Sequence, residues 1–447
     1  MRQNFKISSR FREQLRRELQ NWQTDGIISP EQSTIISQRY ELDQQRRESR
    51  NYLLFAIYVI GAVLIGAGFI SFVAAHWDEI SAVYKIVLIV SVMLGCHILG
   101  CYLWKISARS PRLGHALIVL GTLIFGANIG LLAQIFHIKV DFYNGLFAWA
   151  VGAVVMAYAL ESVPNAIIAI IISFIGFCWG VGDNPDTFCY YPFAVAAVFL
   201  PFAYFRRSVL TFTFSLLAIG ISILVCTGIG AREFVPFLLA MAGVGLFYFG
   251  LGILSDCSKS FNFFAAPAMV LGTIFIASNA YILSFKEFAQ SVAYEEVKNW
   301  MWAIPAAAAY IIAILMWVGI FYPMLKKPRL RPISISFFAS TLLLLSAIIV
   351  KASSVHNHNN YVLVIIACHF ACVLLCIGLI ASSFLMEDRR LFWAGVLFAA
   401  LIIATRFFEY ETGLLLKAAV FTACGIILIL VGVKFENYLK RRRLADE

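Results

Sequence analysis

From Tyr52 onward the chain alternates long apolar runs with short polar or charged breaks. The runs have the length that crosses hydrocarbon, about 20 residues at a rise of about 1.5 Å each. Tyr52 to Ala75, Gly114 to Phe136 and Ile333 to Val350 carry almost no charge. Breaks at charge clusters and turn residues predict spans near 52–74, 84–104, 114–136, 143–160, 163–181, 190–205, 209–229, 233–252, 262–284, 301–322, 333–350, 361–384, 391–407 and 415–436. The expected architecture is an all-α, polytopic transmembrane bundle of fourteen helices. The segments 143–160, 190–205 and 391–407 are short for a span, and Pro192 and Pro201 make 190–205 a candidate broken or re-entrant element. If the pair around 143–181 dips and returns, the count is twelve; either even count leaves both termini on one side.

Before Tyr52 the pattern changes. Phe11, Leu15, Leu19 and Trp22 recur at helical spacing, and Gly26 suits the left-handed end of that helix. Ser29-Pro30-Glu31-Gln32 starts a second helix: Ser29 caps, Pro30 takes the first position, and Gln32 closes a capping box. Ile35 and Ile36 are expected to face back toward Leu19 and Trp22, with Tyr40 a turn further on. Residues 1–51 thus read as a small cytoplasmic helical hairpin, residues 52–437 as the membrane domain and 438–447 as a basic tail. Two short helices bury little area, so the hairpin is expected to lean on the membrane domain or on a cytoplasmic protein partner.

Composition narrows the class. The chain is 61% hydrophobic and 13% charged, against about 25% charge in soluble domains, and its mean hydropathy is +0.83. A large soluble protein is excluded, and membrane lipids are the first expected partner. The net charge of +10 then reads as topology and not as affinity for nucleic acid. With the N-terminus inside, 27 of the 35 Lys and Arg fall on the cytoplasmic side, which predicts both termini in the cytoplasm. The ten cysteines lie mostly within apolar runs, without a CxxC pair, and read as small hydrophobes.

Candidate chemistry concentrates in the third span, with Gly121, Gly126, Asn128, Gly130, Gln134 and His137 close together. Gly126 and Gly130 make a small-xxx-small face for helix packing, with Gly121 a turn earlier. The amides of Asn128 and Gln134 need partners in the protein interior, either a neighbouring helix or a polar solute on its path. Val119-Leu120-Gly121-Thr122 before Asn128 recurs as Val270-Leu271-Gly272-Thr273 before Asn279, which suggests two parallel six-helix units followed by two helices. Cys368, Cys372 and Cys376 share a helical face with His369 one position off it, an incomplete set for a metal. The absence of a deeply placed Asp or Glu argues against a pump built on a central carboxylate. His76, Asp78, Gln134, His137 and Arg406 would form an outward mouth if the first, third and thirteenth spans meet. His356-Asn357-His358-Asn359-Asn360 reads as a polar outward turn.

There is no HExxH, GxSxG, P-loop or dinucleotide fingerprint, so neither an enzyme nor a cofactor is indicated. Trp22, Gly26-Ile27-Ile28-Ser29 and Tyr40, then Ala74-Ala75-His76-Trp77-Asp78, resemble the predicted membrane proteins grouped as DUF2157. Phe125 to His137 resembles that family's most distinctive helix, and the likeness covers roughly residues 10–160. His76 stands where the family usually has Asn. The resemblance implies a bacterial inner-membrane protein and carries no established activity. Three functions fit: transport of a small polar solute or envelope precursor, a scaffold or sensor docking a cytoplasmic partner through residues 1–51, and an enzyme acting on lipid-linked substrates.

Overall fold

The computed structural model describes residues 15, 18, 19, 21–39, 81–107, 110–139, 141–231, 234–258, 260–294, 311, 313, 315, 317, 331–353, 360–409 and 414–446. It divides into a unit ending at Val87 and one beginning at Leu88. In the first unit, helix α1 (Pro30–Arg39) starts as its sequence dictates. The Ser29 N–H donates to Gln32 Oε1 at 3.0 Å and the Gln32 N–H donates to Ser29 Oγ at 3.2 Å, which satisfies two helix-end donors reciprocally. Gly26 takes φ +70°, and the Ile27 N–H reaches the Trp22 carbonyl at 2.9 Å. The apolar face differs from the expectation. Leu19 is buried and Ile36 half-buried, but Ile35 and Ile27 point outward, 64% and 67% exposed.

The longer helices that follow are α2 (Ala82–Cys101, extended by a π turn to Ile106), α3 (Pro111–Ile135), α4 (Phe142–Leu160), α5 (Val163–Asp183), α6 (Tyr191–Arg206), α7 (Val209–Ala231) and α8 (Phe234–Cys257). They continue as α9 (Ala265–Leu283), α10 (Lys286–Tyr294), α11 (Arg331–Ser353), α12 (Asn360–Met386), α13 (Arg389–Glu409) and α14 (Leu414–Asp446). Ten described helices are long and apolar enough to cross a membrane. The protein is an all-α, multi-pass membrane bundle with no strand among the described residues. The expected first span, with His76 and Asp78 beyond it, and nearly all of the tenth lie outside those residues. Both helices of the pair at 143–181 are full length, 19 and 21 residues, or about 28 and 31 Å, enough to cross. Helix α6 is continuous through Pro201 and has only 16 residues. Because Pro201 lacks an N–H, the Ala197 carbonyl four residues earlier loses its helical donor; the Tyr158 hydroxyl donates to the adjacent Val198 carbonyl at 2.5 Å.

Tight turns join successive helices. Glu161, Arg207 and Glu387 take left-handed φ of 55°, 48° and 55°, and the following N–H of Ser162, Ser208 or Asp388 bonds back to the Ala157, Ala203 or Ser383 carbonyl. This closes each helix as a Schellman end and lets the next begin at once. The core is centred on α8, which is mostly buried, whereas α2 is almost wholly exposed. Around α8 lie α7, α9, α11 and α12, with Phe249, Trp317 and Phe337 stacked at its middle. A second cluster joins α4 through α7, and a third joins α12, α13 and α14.

Small residues set the closest approaches. In α11–α12, Gly378 receives Ser336, the Ser340 hydroxyl donates to the Ala371 carbonyl at 3.0 Å, and Ser382 Oγ accepts from the Ile333 N–H at 2.9 Å. Such contacts substitute in lipid for the hydrophobic drive available in water.

Candidate functional site

The intramembrane amides sit in two helical hairpins, α2–α3 and α8–α9. Asn128 is buried on α3, and its Nδ2 donates to the Met93 thioether at 3.3 Å. A thioether is a weak acceptor, so this N–H is readily exchanged. Asn279 on α9 is fully enclosed; its Nδ2 donates to the Leu238 carbonyl at 2.7 Å, while Oδ1 has no partner among the described residues. Each asparagine therefore reaches back to the helix before its own.

The two hairpins also share a packing register. A Cβ on Gly100 would stand 2.8 Å from the Gly114 oxygen and 2.9 Å from Ile118 Cγ1. On Gly252 it would stand 3.0 Å from the Ala265 oxygen and 2.5 Å from Met269 Cγ. A Cβ on Gly121 would stand 2.5 Å from His97 Cε1, and one on Gly272 would stand 2.5 Å from the Phe249 backbone nitrogen. Thr122 and Thr273 hydrogen-bond the Ile118 and Met269 carbonyls. Every α9 residue named stands 151 positions after its α3 counterpart, and both α8 glycine-contact residues stand 152 after those of α2.

The other expected positions serve different ends. Gly126 accommodates the Trp149 ring, whose Nε1 donates to the Thr122 carbonyl at 2.9 Å. No atom lies within 4 Å of a Cβ on Gly130, so the expected Gly126–Gly130 pair makes no common packing face: Gly114 and Gly121 pack toward α2, Gly126 packs on Trp149 of α4, and Gly130 meets no neighbour. Gln134 and His137 are exposed at the end of α3, where His137 takes φ 50°. Arg406 joins a corner between α9, α10 and α13. Its guanidinium donates to the Ser284 carbonyl at 3.0 Å and to Ser284 Oγ at 2.6 Å, lies over the Phe285 ring and pairs with Glu409. Glu409 Oε1 in turn accepts the first N–H of α10, from Lys286, at 2.6 Å. An acidic group at a helix start and a cation on a helix-end carbonyl both suit the helix dipole.

Two polar positions have no counterpart among the residues expected from sequence. Asn165, at the start of α5, is fully enclosed and neither side-chain atom has a partner among the described residues. It is an amide within an apolar run, the same signal that marks Asn128. Nearby, His115 Nε2 lies 2.8 Å from the enclosed Ser162 hydroxyl and its ring stacks on Trp104. With Ser162 shut away from solvent, this pair ties α3 to the α4–α5 turn. Cys368, Cys372 and Cys376 share the buried face of α12 and His369 bonds the Ile365 carbonyl; among the described residues no three potential ligands converge on a metal position.

A family model described as predicted membrane protein, DUF2157, matches residues 20–165. Over that stretch, about a third of the chain, the sequence is similar to the DUF2157 family. The DUF2157 segment takes in α1 through α4, and with them Gly100, Asn128, Trp149 and the His115–Ser162 pair. The α8–α9 hairpin lies beyond it. No curated protein and no solved structure matches the chain.

Proposed function

We propose that this protein is a transporter of a small, neutral polar solute, and that α2–α3 and α8–α9 are two copies of one helical hairpin. The shared register of Gly100, Gly121 and Asn128 with Gly252, Gly272 and Asn279 carries the reading. Repeated units around midplane polar groups are a common plan for secondary transporters. Backbone-close glycine interfaces let one helix shift on another without first repacking large side chains. Asn128, whose amide donates to a weak thioether acceptor, and Asn279, whose enclosed Oδ1 has no partner among the described residues, supply one exchangeable donor and one acceptor. Residues 114–134 and 265–283 contain no Asp, Glu, Lys or Arg, so recognition by hydrogen bonds favours an uncharged solute.

Flux of glycerol and simple sugars into proteoliposomes of the full chain tests it. Asn128→Leu and Asn279→Leu should each lower flux by about tenfold or more, the effect of losing roughly 1.4 kcal/mol at the barrier, while the protein stays folded. Absence of flux for every solute, or unchanged flux in both variants, would refute the proposal. One observation favours the second reading, a scaffold: Ile27 and Ile35 expose apolar surface beside α1, as a docking face for a cytoplasmic protein would.

A further inference from the structure

Near the C-terminus, α13 and α14 diverge around a groove of about 500 Å³, within the size range of pockets that hold small ligands. Its cause is local. Gly432 occupies the stripe of α14 between Ile429 and Glu436, and a Cβ there would meet nothing within 4 Å. Trp393 and Val433 stand at the sides, both more than half exposed, above a floor that includes buried Phe392. From Leu428 to Lys440 the groove follows α14 for about 18 Å, of which the apolar stretch to Val433 takes about 8 Å.

The two ends differ in chemistry. The deep end is apolar, whereas Glu436, Asn437 and Lys440 line the end toward the basic tail. Arg389 donates to Glu436 Oε2 at 2.7 Å, which neutralises the groove's one carboxylate. Lys440 lines the mouth as an exposed cation, with Arg390 and Arg441 exposed on the same helix ends. Trp393 stands one turn into α13, four residues after Arg389; amphipathic rings beside such charged helix ends favour a membrane boundary.

We propose that this groove is a binding site for an anionic phospholipid of the inner leaflet, with one acyl chain along Gly432 and the phosphate against Lys440 and Asn437. The commitment to a phospholipid rests on this polarity: an apolar channel running about 8 Å along Leu428 to Val433, closed at its other end by the Lys440 cation and the Asn437 amide donor. Inorganic phosphate would leave the channel empty, and a zwitterionic lipid would forgo the charge match.

Native mass spectrometry of the full chain, released from micelles doped with equal amounts of phosphatidylglycerol and phosphatidylcholine of matched chains, tests the site. The wild type should retain phosphatidylglycerol in preference. Lys440→Gln should lower that preference about fivefold, the effect of one basic residue near a membrane surface. Gly432→Phe should remove the retained lipid, and its thermal midpoint should match wild type because the new ring enters open space. Equal retention of both lipids by wild type, or wild-type retention by both variants, would overturn the proposal. If Gly432→Phe fails to fold, Lys440→Gln decides by itself; inorganic phosphate that displaces the lipid would also overturn it.

Discussion

Replacing Gly272 by alanine tests the hairpin interface most directly. The added Cβ would stand 2.5 Å from the Phe249 nitrogen and 2.7 Å from the Gly245 oxygen. Both are backbone atoms within helix α8, so no side chain can swing aside. Restoring ordinary contact requires α8 and α9 to separate by roughly 0.8 Å, an overpacking cost of about 1–3 kcal/mol. Separation also stretches the 2.7 Å Asn279 to Leu238 bond, a contact of the kind worth about 0.6–2 kcal/mol in membranes. Against this stands a gain of up to about 1 kcal/mol in helix propensity. The net expectation is destabilisation by about 1–3 kcal/mol. Gly130→Ala is the matched control, since its Cβ meets nothing within 4 Å and only the propensity gain applies. A thiol-reactive fluorogenic dye can follow thermal unfolding through Cys226, Cys368 and Cys372, all buried. Gly272→Ala should melt roughly 4 °C or more below Gly130→Ala, taking about 2–4 °C per kcal/mol. Equal midpoints would refute the interface as described.

The same assay reads two further perturbations. Arg406→Ala should destabilise by about 3–5 kcal/mol, because Glu409 is then left largely enclosed without its cation, and adding Glu409→Ala should recover part of the loss; additive effects would show that the pair does not act as a unit. Gly126→Ala drives a methyl into the Trp149 ring, so it should cost stability in the wild type and be close to neutral in a Trp149→Ala background, a coupling of about 1 kcal/mol or more in a double-mutant cycle.

Features governed by one helix or one turn were legible in the sequence. Hydropathy located the long apolar helices, and Ser29, Gln32 and Gly26 announced their roles because a cap or a left-handed end depends on residues a few positions apart. What each intramembrane polar group touches was not legible, because that is decided by helix pairing. Gly126 and Gly130 are equivalent in the sequence pattern, yet only Gly126 has a neighbour, the Trp149 ring of α4. Ile35 matched the apolar stripe but faces outward. Arg406, expected at an outward mouth, is occupied by the Ser284, Phe285 and Glu409 corner. Asn165 was as visible as Asn128 and needed only the same reasoning. The groove at Gly432 was hidden because an empty volume depends on how two helices diverge.

Pairing between neighbours in sequence also bears on how the chain enters its membrane. In α8–α9 the Asn279 amide is bonded to Leu238 of the helix just before it, and in α11–α12 Ser340 reaches Ala371 of the helix just after. These polar groups can find their partners as each pair leaves the insertion machinery, before distant helices have been made. Insertion two helices at a time would spare a lone amide or hydroxyl from facing lipid. Helix α8, ringed in the finished protein by segments made before and after it, would then wait in the bilayer with α9 already covering its glycines.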